Sequence, residues 1–413
     1  MLISLPISEL KTGMFVDRVN KQAQGASIKI KTRGMVRDAS IIKRLLSEGV
    51  EELTIDFAQS DIPIPTHLKP KSKKEHTGES QDIASQAEKP KLSDRDHSQA
   101  TLEQEFLIAS TCYDQSLGKL RAMYNELTSG MQVNMALLSG IADDIVDSVF
   151  RNPDAMAALT LLRDRNSYTW RHMMNCAILT AIFAKYLGFE INKVRQMALA
   201  ALLHDIGLAK VPQGILSKPG KLTELETKAV RKHVALSLTM LKGQKHISSM
   251  MLEMVVNHHE RLDGSGYPRG IKADKLSREA RILALVDVYA AMVADKPYKK
   301  GEEPLTALRF LLAQKAMFDQ ALVQRFIKCV GIHPVGTLVK LTNERLALVV
   351  QGNEANPIKP KVRVFYNTQH RHHITAKDVD LSVSKDDIKI LGSTSPLEFD
   401  LNLSRLLKEH LLP

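Results

Sequence analysis

Apolar and polar residues recur with different periods along the chain, and the period divides it into regions. From Leu102 to about Val330, apolar side chains stand three and four positions apart with Gly and Pro between the runs, which predicts helices almost throughout. The clearest predicted helices are Met135–Phe150, Asn175–Leu187, Val194–Leu203, Glu224–Leu241, Ile247–Asn257, Ala280–Val293 and Leu305–Leu312. Ala and Leu dominate these segments, as a closely packed helical bundle requires.

The beginning of the chain mixes the two periods. Ile28–Lys31 alternates as a β-strand does, and Val50–Phe57 predicts another strand. Ser40–Leu46 between them has helical spacing, with Gly49 placed to end the helix. We therefore interpret residues 1–60 as a small α+β domain.

From residue 333 the period shifts toward two. Three strands and one short terminal helix are predicted, at Leu338–Leu341, Leu346–Val350, Val362–Tyr366 and Leu403–Leu411. Residues 333–413 are therefore predicted to form a small β-rich unit.

Residues 61–100 have a different composition. Pro63, Pro65 and the Lys69-Pro70-Lys71 run stand among Ser, Glu, Gln and Asp, with few apolar residues. Such a segment cannot bury enough surface to offset its ordering entropy, so we predict a flexible linker. The predicted fold class is mainly α, with a helical domain at 101–332 between the two small terminal domains.

Charge and composition exclude several classes of protein. The net charge of +11 suits an anionic partner or a solvated surface, and it is the only feature that favours nucleic-acid binding. An aromatic content of 5% argues against a protein that stacks on single-stranded bases. Three distant cysteines form neither a disulfide framework nor a Cys-rich zinc site.

The chain also lacks membrane and export signals. No apolar run approaches the roughly 18–20 residues of a membrane span. The first residues lack a basic region followed by a long apolar core. A cytoplasmic protein is the expectation.

Seven metal-type side chains in the helical region carry the candidate chemistry: His172, His204, Asp205, His233, His258, His259 and Asp287. A single buried His or Asp is more often a hydrogen-bonded structural group. Here, however, His204-Asp205 ends one apolar run and His258-His259 ends another, and polar pairs placed against apolar surface need partners. A metal ion is an efficient partner for such pairs.

The ligand types indicate the metal and the reaction. Imidazoles and carboxylates suit Fe, Mn, Ni or Zn, and seven ligands exceed what one ion needs. Two ions about 3.5–4 Å apart can share a carboxylate, activate a water and neutralise the charge of a phosphodiester. The set therefore predicts metal-assisted phosphoester hydrolysis.

The segment after the paired histidines is the most specific in the chain. It runs His258-His259-Glu260-Arg261-Leu262-Asp263-Gly264-Ser265-Gly266-Tyr267-Pro268. Its two glycines permit a tight loop, and Pro268 stiffens the exit. Tyr267 can present its ring to a base. A helix-to-helix turn is the simpler explanation of the glycines alone.

These motifs resemble the HD-GYP domain phosphodiesterases of bacteria. The matching residues are His204-Asp205-Ile206-Gly207, the block at 258–268, Asp287-Val288-Tyr289, Lys296-Pro297-Tyr298 and the segment 215–223. The resemblance is close over about 160–300, and residues 1–57 are similar to a small accessory domain often found before HD-GYP domains. It implies an HD-type helical bundle at 101–332.

The resemblance also implies a function and a role for each residue. The function is hydrolysis of cyclic di-GMP to pGpG, GMP or both, at a metal centre whose two ions are expected to be Fe or Mn, with Ni or Zn as alternatives. The seven residues above would be the ligands, with His204 and Asp205 catalytic and Asp205 as the bridge. Substrate-contacting residues would be Tyr267, Pro268, Lys296, Lys299 and, if its loop bends, Lys210. Signalling proteins or a second copy of the chain are the expected partners besides the cyclic dinucleotide.

Three positions depart from the family pattern. Leu208 stands where Lys is usual, Ala290 replaces the second Asp of Asp-x-x-Asp-Ala, and Tyr168 stands near the place of a Glu that supplies a third metal ion in some members. We therefore expect two ions. Two alternatives stay open: a receptor that binds the cyclic dinucleotide with little turnover, and a hydrolase of cyclic GMP-AMP.

Overall fold

The computed structural model describes residues 2–22, 34–36, 38–47, 49–56, 60, 99–162, 168–296, 299–384 and 388–411. The chain divides into two compact units, Met1–Ala87 and Glu88–Pro413. Within the described ranges, no helix is long and apolar enough to cross a membrane.

The first unit is a small antiparallel sheet with one helix. Its strands are β1 (Leu2–Pro6), β2 (Phe15–Gln22), β3 (Gly34–Met35) and β4 (Val50–Asp56), in the order β1-β4-β2-β3, and its helix is α1 (Ala39–Ser47). Leu5, Met14, Leu53 and Ile55 form its buried centre. The predicted helix ended by Gly49 and the strand after it are confirmed, and the small α+β class with them.

Two predictions for this part of the chain concern residues that the structure does not describe. The strand at Ile28–Lys31 and nearly all of the linker 61–100 lie outside the described residues. The boundaries at 60, 100 and 332 stay predictions.

The second unit is mainly helical, which confirms the predicted class. Its helices are α2 (Leu102–Thr128), α3 (Met135–Arg151), α4 (Pro153–Thr160), α5 (Tyr168–Tyr186), α6 (Ile191–Leu203), α7 (Gln213–Leu216), α8 (Glu224–Arg231), α9 (His233–Leu241), α10 (Ser249–Asn257), α11 (Arg278–Val293), α12 (Pro304–Ala313) and α13 (Gln320–Val330). The centre is α5, which packs against α6, α3 and α11. Residues 172–184 of this helix are all buried, as expected for a helix at the centre of a bundle.

One predicted helix is divided in two. The spacing from Glu224 to Leu241 predicts a single helix, but α8 ends at Arg231 and α9 begins at His233. The turn tightens at Lys232, whose N–H donates to the carbonyl of Ala229 three residues earlier. The break makes His233 the first residue of a new helix.

A five-stranded antiparallel sheet completes the second unit. Its strands are β5 (Leu338–Leu341), β6 (Arg345–Gln351), β7 (Lys361–Asn367), β8 (His372–Asp380) and β9 (Ile390–Ser393), in the order β8-β7-β6-β5-β9, followed by the helix α14 (Leu403–Leu411). The three predicted strands and the terminal helix are confirmed. Val339, Leu348 and Phe365 belong to the same hydrophobic cluster as the bundle, so the sheet and the helices share one core.

Candidate metal centre

The seven side chains predicted as metal ligands converge on one place in the second unit. They come from α5, the residues after α6, the start of α9, the residues after α10, and α11. Together with Cys176, their ligand atoms form two groups of four, each with its atoms within 4.8 Å of one another. The first group contains His172, Cys176, His204 and Asp287, and the second contains Asp205, His233, His258 and His259.

Three imidazoles are oriented by backbone carbonyls that lie shortly before them in the chain. The Nδ1–H groups of His204, His233 and His258 donate to carbonyls three residues earlier, at 2.7, 2.8 and 2.7 Å. A carbonyl oxygen can only accept, so Nδ1 carries a proton and Nε2 is the atom left to coordinate a metal. Each Nε2 therefore faces the other members of the cluster, with its ring already held in place.

Asp205 lies between the two groups. Its Oδ1 lies 3.1 Å from His233 Nε2, and its Oδ2 lies 3.4 Å from His204 Nε2. One oxygen of the same carboxylate thus faces each group. Asp287 has a similar place on the other side, with Oδ1 accepting from His172 Nε2 at 2.9 Å and Oδ2 lying 3.5 Å from His259 Nδ1.

Two buried atoms of the cluster suit coordination of a cation. Among the described residues, His204 Nε2 and Asp205 Oδ1 make no well-aligned hydrogen bond, although His233 Nε2 lies 3.1 Å from that oxygen. A buried polar atom without a partner costs free energy, and coordination of a cation by both atoms would remove that cost. Imidazoles and carboxylates suit Fe, Mn, Ni or Zn. The residues present therefore fit divalent metal ions.

The two carboxyl groups are ionised by their surroundings. Burial by itself raises the pKa of Asp205, but His204 and His233 lower it more, and the net pKa lies well below its usual range. Burial also raises the pKa of Asp287, and the hydrogen bond from His172 with the neighbouring His204 brings it well below that range. Both side chains are therefore negatively charged ligands at neutral pH.

The paired histidines His258 and His259 are neutral because burial lowers the pKa of both rings. Burial lowers the pKa of His258 well below its usual value, and the nearby imidazoles of His259 and His204 lower it further. Burial lowers the pKa of His259 to about 4, against the opposing effect of Asp287. Both rings can therefore coordinate a metal without first losing a proton.

We expect the affinity for divalent ions to fall as the pH is lowered. Burial opposes protonation of His204 and His233, but Asp205 outweighs it and raises both pKa values. A metal ion must displace those protons. Below the raised pKa, each displaced proton therefore weakens the apparent metal affinity about tenfold for every unit by which the pH falls. Chelator competition at about pH 6 and about pH 8 measures this, and equal affinities at both would contradict it.

Two glycines allow the close backbone approach that brings the clustered residues together. A Cβ at Gly207 would lie 2.1 Å from the carbonyl oxygen of His233, and a Cβ at Gly266 would lie 2.4 Å from the Cα of Glu260. The Glu260 carboxylate is buried and accepts from the N–H groups of Arg269 and Ile271 at 2.8 and 3.1 Å. Glu260 thus fixes the loop that follows the paired histidines, and it is not part of either ligand group.

The cluster opens on two adjoining cavities. One has a volume of about 400 Å³ and is lined by ligand residues together with Tyr124, Trp170, Lys218, Tyr267 and Lys296. The other has a volume of about 390 Å³, shares His259, Asp287 and Lys296 with the first, and adds Arg261, Lys299 and Lys300. A ligand above the cluster would therefore meet aromatic rings on one side and cationic groups on the other.

The structure brings three of the predicted substrate-contacting residues to these cavities. The Tyr267 ring lies 4.6 Å from the His259 ring, centroid to centroid, and borders the first cavity. Lys296 lines both cavities. Lys299 lines the second, where its ammonium pairs with Glu302 at 2.8 Å.

It does not bring the other two there. Lys210 donates to the carbonyl of Leu127 at 2.9 Å, because this carbonyl at the end of α2 lies within its reach. Its loop does not bend as the substitute role for Leu208 would require. Pro268 follows Tyr267 through a cis peptide bond and is absent from the lining of both cavities.

Several residues near the site were not predicted. Cys176 belongs to the first ligand group, and its position four residues after His172 on a helix is the signal that would have indicated it. Trp170 is two residues before His172 and lines the first cavity. The guanidinium of Arg231 lies 4.7 Å from the centre of the Tyr267 ring, and nothing in the sequence pattern distinguished it.

The three departures from the family pattern have different consequences. Leu208 lines the first cavity, so an apolar side chain stands there. Ala290 is buried in the hydrophobic core of α11, so no carboxylate is missing from the cavities at that position. The side chain of Tyr168 lies outside the described part of the structure.

Family models match most of the chain. A model described as "HD domain" matches residues 158–322, which include all seven predicted ligands. A model described as a domain of unknown function, DUF3391, matches residues 2–138.

Three curated proteins are similar to the chain. The cyclic di-GMP phosphodiesterase PA4108 of Pseudomonas aeruginosa is 32% identical over 95% of this chain and 92% of its own length. The cyclic di-GMP phosphodiesterase response regulator RpfG of Xanthomonas campestris is 37% identical over 36% of this chain and 39% of its own length. The 3'3'-cGAMP-specific phosphodiesterase 1 of Vibrio cholerae is 38% identical over 35% of this chain and 33% of its own length.

Proposed function

The chain belongs to the HD-GYP family of metal-dependent cyclic dinucleotide phosphodiesterases, and from this we propose that it hydrolyses cyclic di-GMP. The first product is linear pGpG, and hydrolysis of the remaining phosphodiester at the same centre gives GMP. The seven predicted ligands would hold two divalent ions, of which Fe and Mn are the first candidates.

One observation carries this proposal. Asp205 presents one carboxylate oxygen to each of two ligand groups, 3.4 Å from His204 Nε2 and 3.1 Å from His233 Nε2. A carboxylate in that place suits a bridge between two ions and has no evident use in a protein that only binds a nucleotide. Two ions held this way would supply a nucleophilic water at neutral pH and would neutralise charge on the phosphodiester.

The chain's own residues hold the substrate against the cluster. Lys296 borders both cavities, and burial with the nearby Lys299 lowers its pKa while Asp287 opposes them. Its cationic form binds phosphate oxygens through charge-assisted hydrogen bonds. Tyr267 and Trp170 border the first cavity and offer flat apolar faces to a guanine base.

We prefer cyclic di-GMP as the substrate because the relative named for that dinucleotide aligns over more of the chain. The relative named a cyclic di-GMP phosphodiesterase aligns over 95% of the chain, whereas the relative named as specific for 3'3'-cGAMP aligns over 35%. Cyclic GMP-AMP stays an alternative substrate. A receptor with little turnover is favoured by Leu208 alone, since Ala290 lies in the core.

A comparison of the two substrates tests this proposal. Anaerobically purified protein is loaded with Fe(II), and separately with Mn(II), and incubated with cyclic di-GMP or with 3'3'-cyclic GMP-AMP. Chromatography is expected to show pGpG followed by GMP, with cyclic di-GMP hydrolysed at least about tenfold faster than the mixed dinucleotide.

The control is the double variant His258→Ala/His259→Ala, in which these products should not form. Faster hydrolysis of cyclic GMP-AMP would identify that dinucleotide as the substrate. A folded, metal-loaded protein that binds cyclic di-GMP without product in either metal would instead be a receptor.

We expect Lys296→Met to raise KM for the dinucleotide about tenfold, because loss of a charge-assisted hydrogen bond to a phosphate weakens binding on this scale. Lys210→Met is the matched control and should leave KM within about twofold, since its ammonium is engaged with Leu127. Steady-state kinetics of both variants measure this. Equal increases in the two variants would show that Lys296 has no particular role.

A further inference from the structure

Cys176 is the one member of the two ligand groups that does not belong to the predicted ligand set. Its Sγ lies 3.6 Å from Nε2 and 3.8 Å from Nδ1 of His172, and the residue has no exposed surface. Both residues lie on α5, four positions apart, so the helix presents them to the same side.

A small buried cysteine often only fills space in a core, and two observations argue against that role here. Cys176 shares its group with His204, whose buried Nε2 has no hydrogen-bond partner within the described ranges. The separation between Sγ and His172 Nε2 also has the size expected of two ligands on one ion. With metal–sulfur and metal–nitrogen bonds of about 2.3 and 2.1 Å, a tetrahedral angle separates those atoms by roughly 3.6 Å.

We propose that Cys176 is a sulfur ligand to the ion held by His172, His204 and Asp287. The inference rests on the metal centre proposed above but not on the identity of the substrate. The thiol proton leaves to solvent as the ion binds, and the sulfur then contributes a negative charge to the first group.

The two ions are therefore held differently. The first group offers nitrogen, oxygen and sulfur, whereas the second offers only nitrogen and oxygen. Thiolate favours softer ions, so the first position should prefer Zn(II), Fe(II) or Co(II) over Mn(II). The ligand set predicted from the sequence, which contains only imidazoles and carboxylates, is amended to this extent.

Optical titration with Co(II) tests the inference without any turnover. Metal-free, reduced full-length protein is titrated anaerobically with Co(II), and the absorption spectrum and the amount of bound cobalt are recorded. We expect a thiolate-to-cobalt charge-transfer band in the near ultraviolet. The band should be lost in Cys176→Ser, while the visible d–d bands of cobalt at the remaining ligands stay.

The other two cysteines provide matched controls. Cys112 and Cys329 lie outside both ligand groups, so Cys112→Ser and Cys329→Ser should keep the band at full intensity. In competition experiments, Cys176→Ser should also reduce the preference for Zn(II) over Mn(II) by at least about tenfold. Cys176→Ala serves as the second variant, and circular dichroism checks that each protein is folded.

Each outcome has a definite meaning. Loss of the band in a Cys176 variant, with the band retained in the Cys112 and Cys329 variants, supports the sulfur ligand. Two bound Co(II) ions without the band, or a band that persists in both variants, would overturn it and leave the metal centre intact. Failure of the wild-type protein to bind Co(II) would overturn both the sulfur ligand and the metal centre.

Discussion

Asp205→Asn is expected to lower the rate of cyclic di-GMP hydrolysis by about a thousandfold or more, which corresponds to about 4 kcal/mol of transition-state stabilisation. The Asp205 carboxylate presents one oxygen to each ligand group, and both His204 and His233 lower its pKa. An amide of the same shape has one oxygen and no negative charge, so it cannot replace a carboxylate between two cations. Turnover and metal content of the purified variant should fall together.

Asp263→Asn is the matched control for that change. Asp263 is exposed in the loop before Tyr267, where its Oδ1 accepts from the N–H and the hydroxyl of Ser265. An asparagine oxygen can accept the same bonds, so we expect activity within about twofold of wild type. Asp205→Asn protein with two bound ions and normal turnover would disprove the bridging role.

Gly207→Ala is expected to destabilise the helical unit by about 3 kcal/mol or more, and to remove bound metal. The added Cβ would lie 2.1 Å from the carbonyl oxygen of His233 and 2.6 Å from the backbone nitrogen of Ser237. These are backbone atoms of α9 and cannot rotate away as the end of a side chain can. The start of α9 must therefore move, and His233 must move with it.

Denaturant unfolding and metal analysis measure this effect, with Gly118→Ala as the control. Gly118 is exposed within α2, and apart from its chain neighbours and the backbone of its own helix, no atom of the described residues lies within 4 Å of an added Cβ. Alanine there should stabilise the helix by about 0.5–1 kcal/mol. Gly207→Ala protein with wild-type stability and full metal content would show that α9 can move without loss of folding free energy, which contradicts the prediction.

Much of the fold could be predicted because it follows from local periodicity. Gly49 ends α1, Val50–Asp56 forms a strand, and α14 has the predicted bounds Leu403–Leu411. In these places, the backbone conformation and the burial of one face depend on residues close together in the chain. The break at Lys232 was missed because both halves of Glu224–Leu241 have helical spacing, and a single tightened turn leaves that spacing unchanged.

Part of the candidate site could also be predicted, because its residues have an unusual local context. Histidine and aspartate pairs at the ends of apolar runs are exceptional wherever they occur, and the loop after His258 has a long specific motif. Those features indicated every member of the cluster except Cys176, which makes seven residues. Cys176 was missed because a cysteine in an apolar helix is usual, and only its neighbours in space give it a chemical role.

The sequence by itself therefore determined the class of fold and indicated seven of the side chains that cluster in the helical unit. Tertiary structure decided how the ligands divide into two groups, that Asp205 lies between them, and that Lys210 binds the Leu127 carbonyl while Lys296 lines both cavities. The physical reason is distance along the chain. Periodicity and end signals act over a few residues, whereas His172 and Asp287 are 115 positions apart and meet only when α5 and α11 pack together.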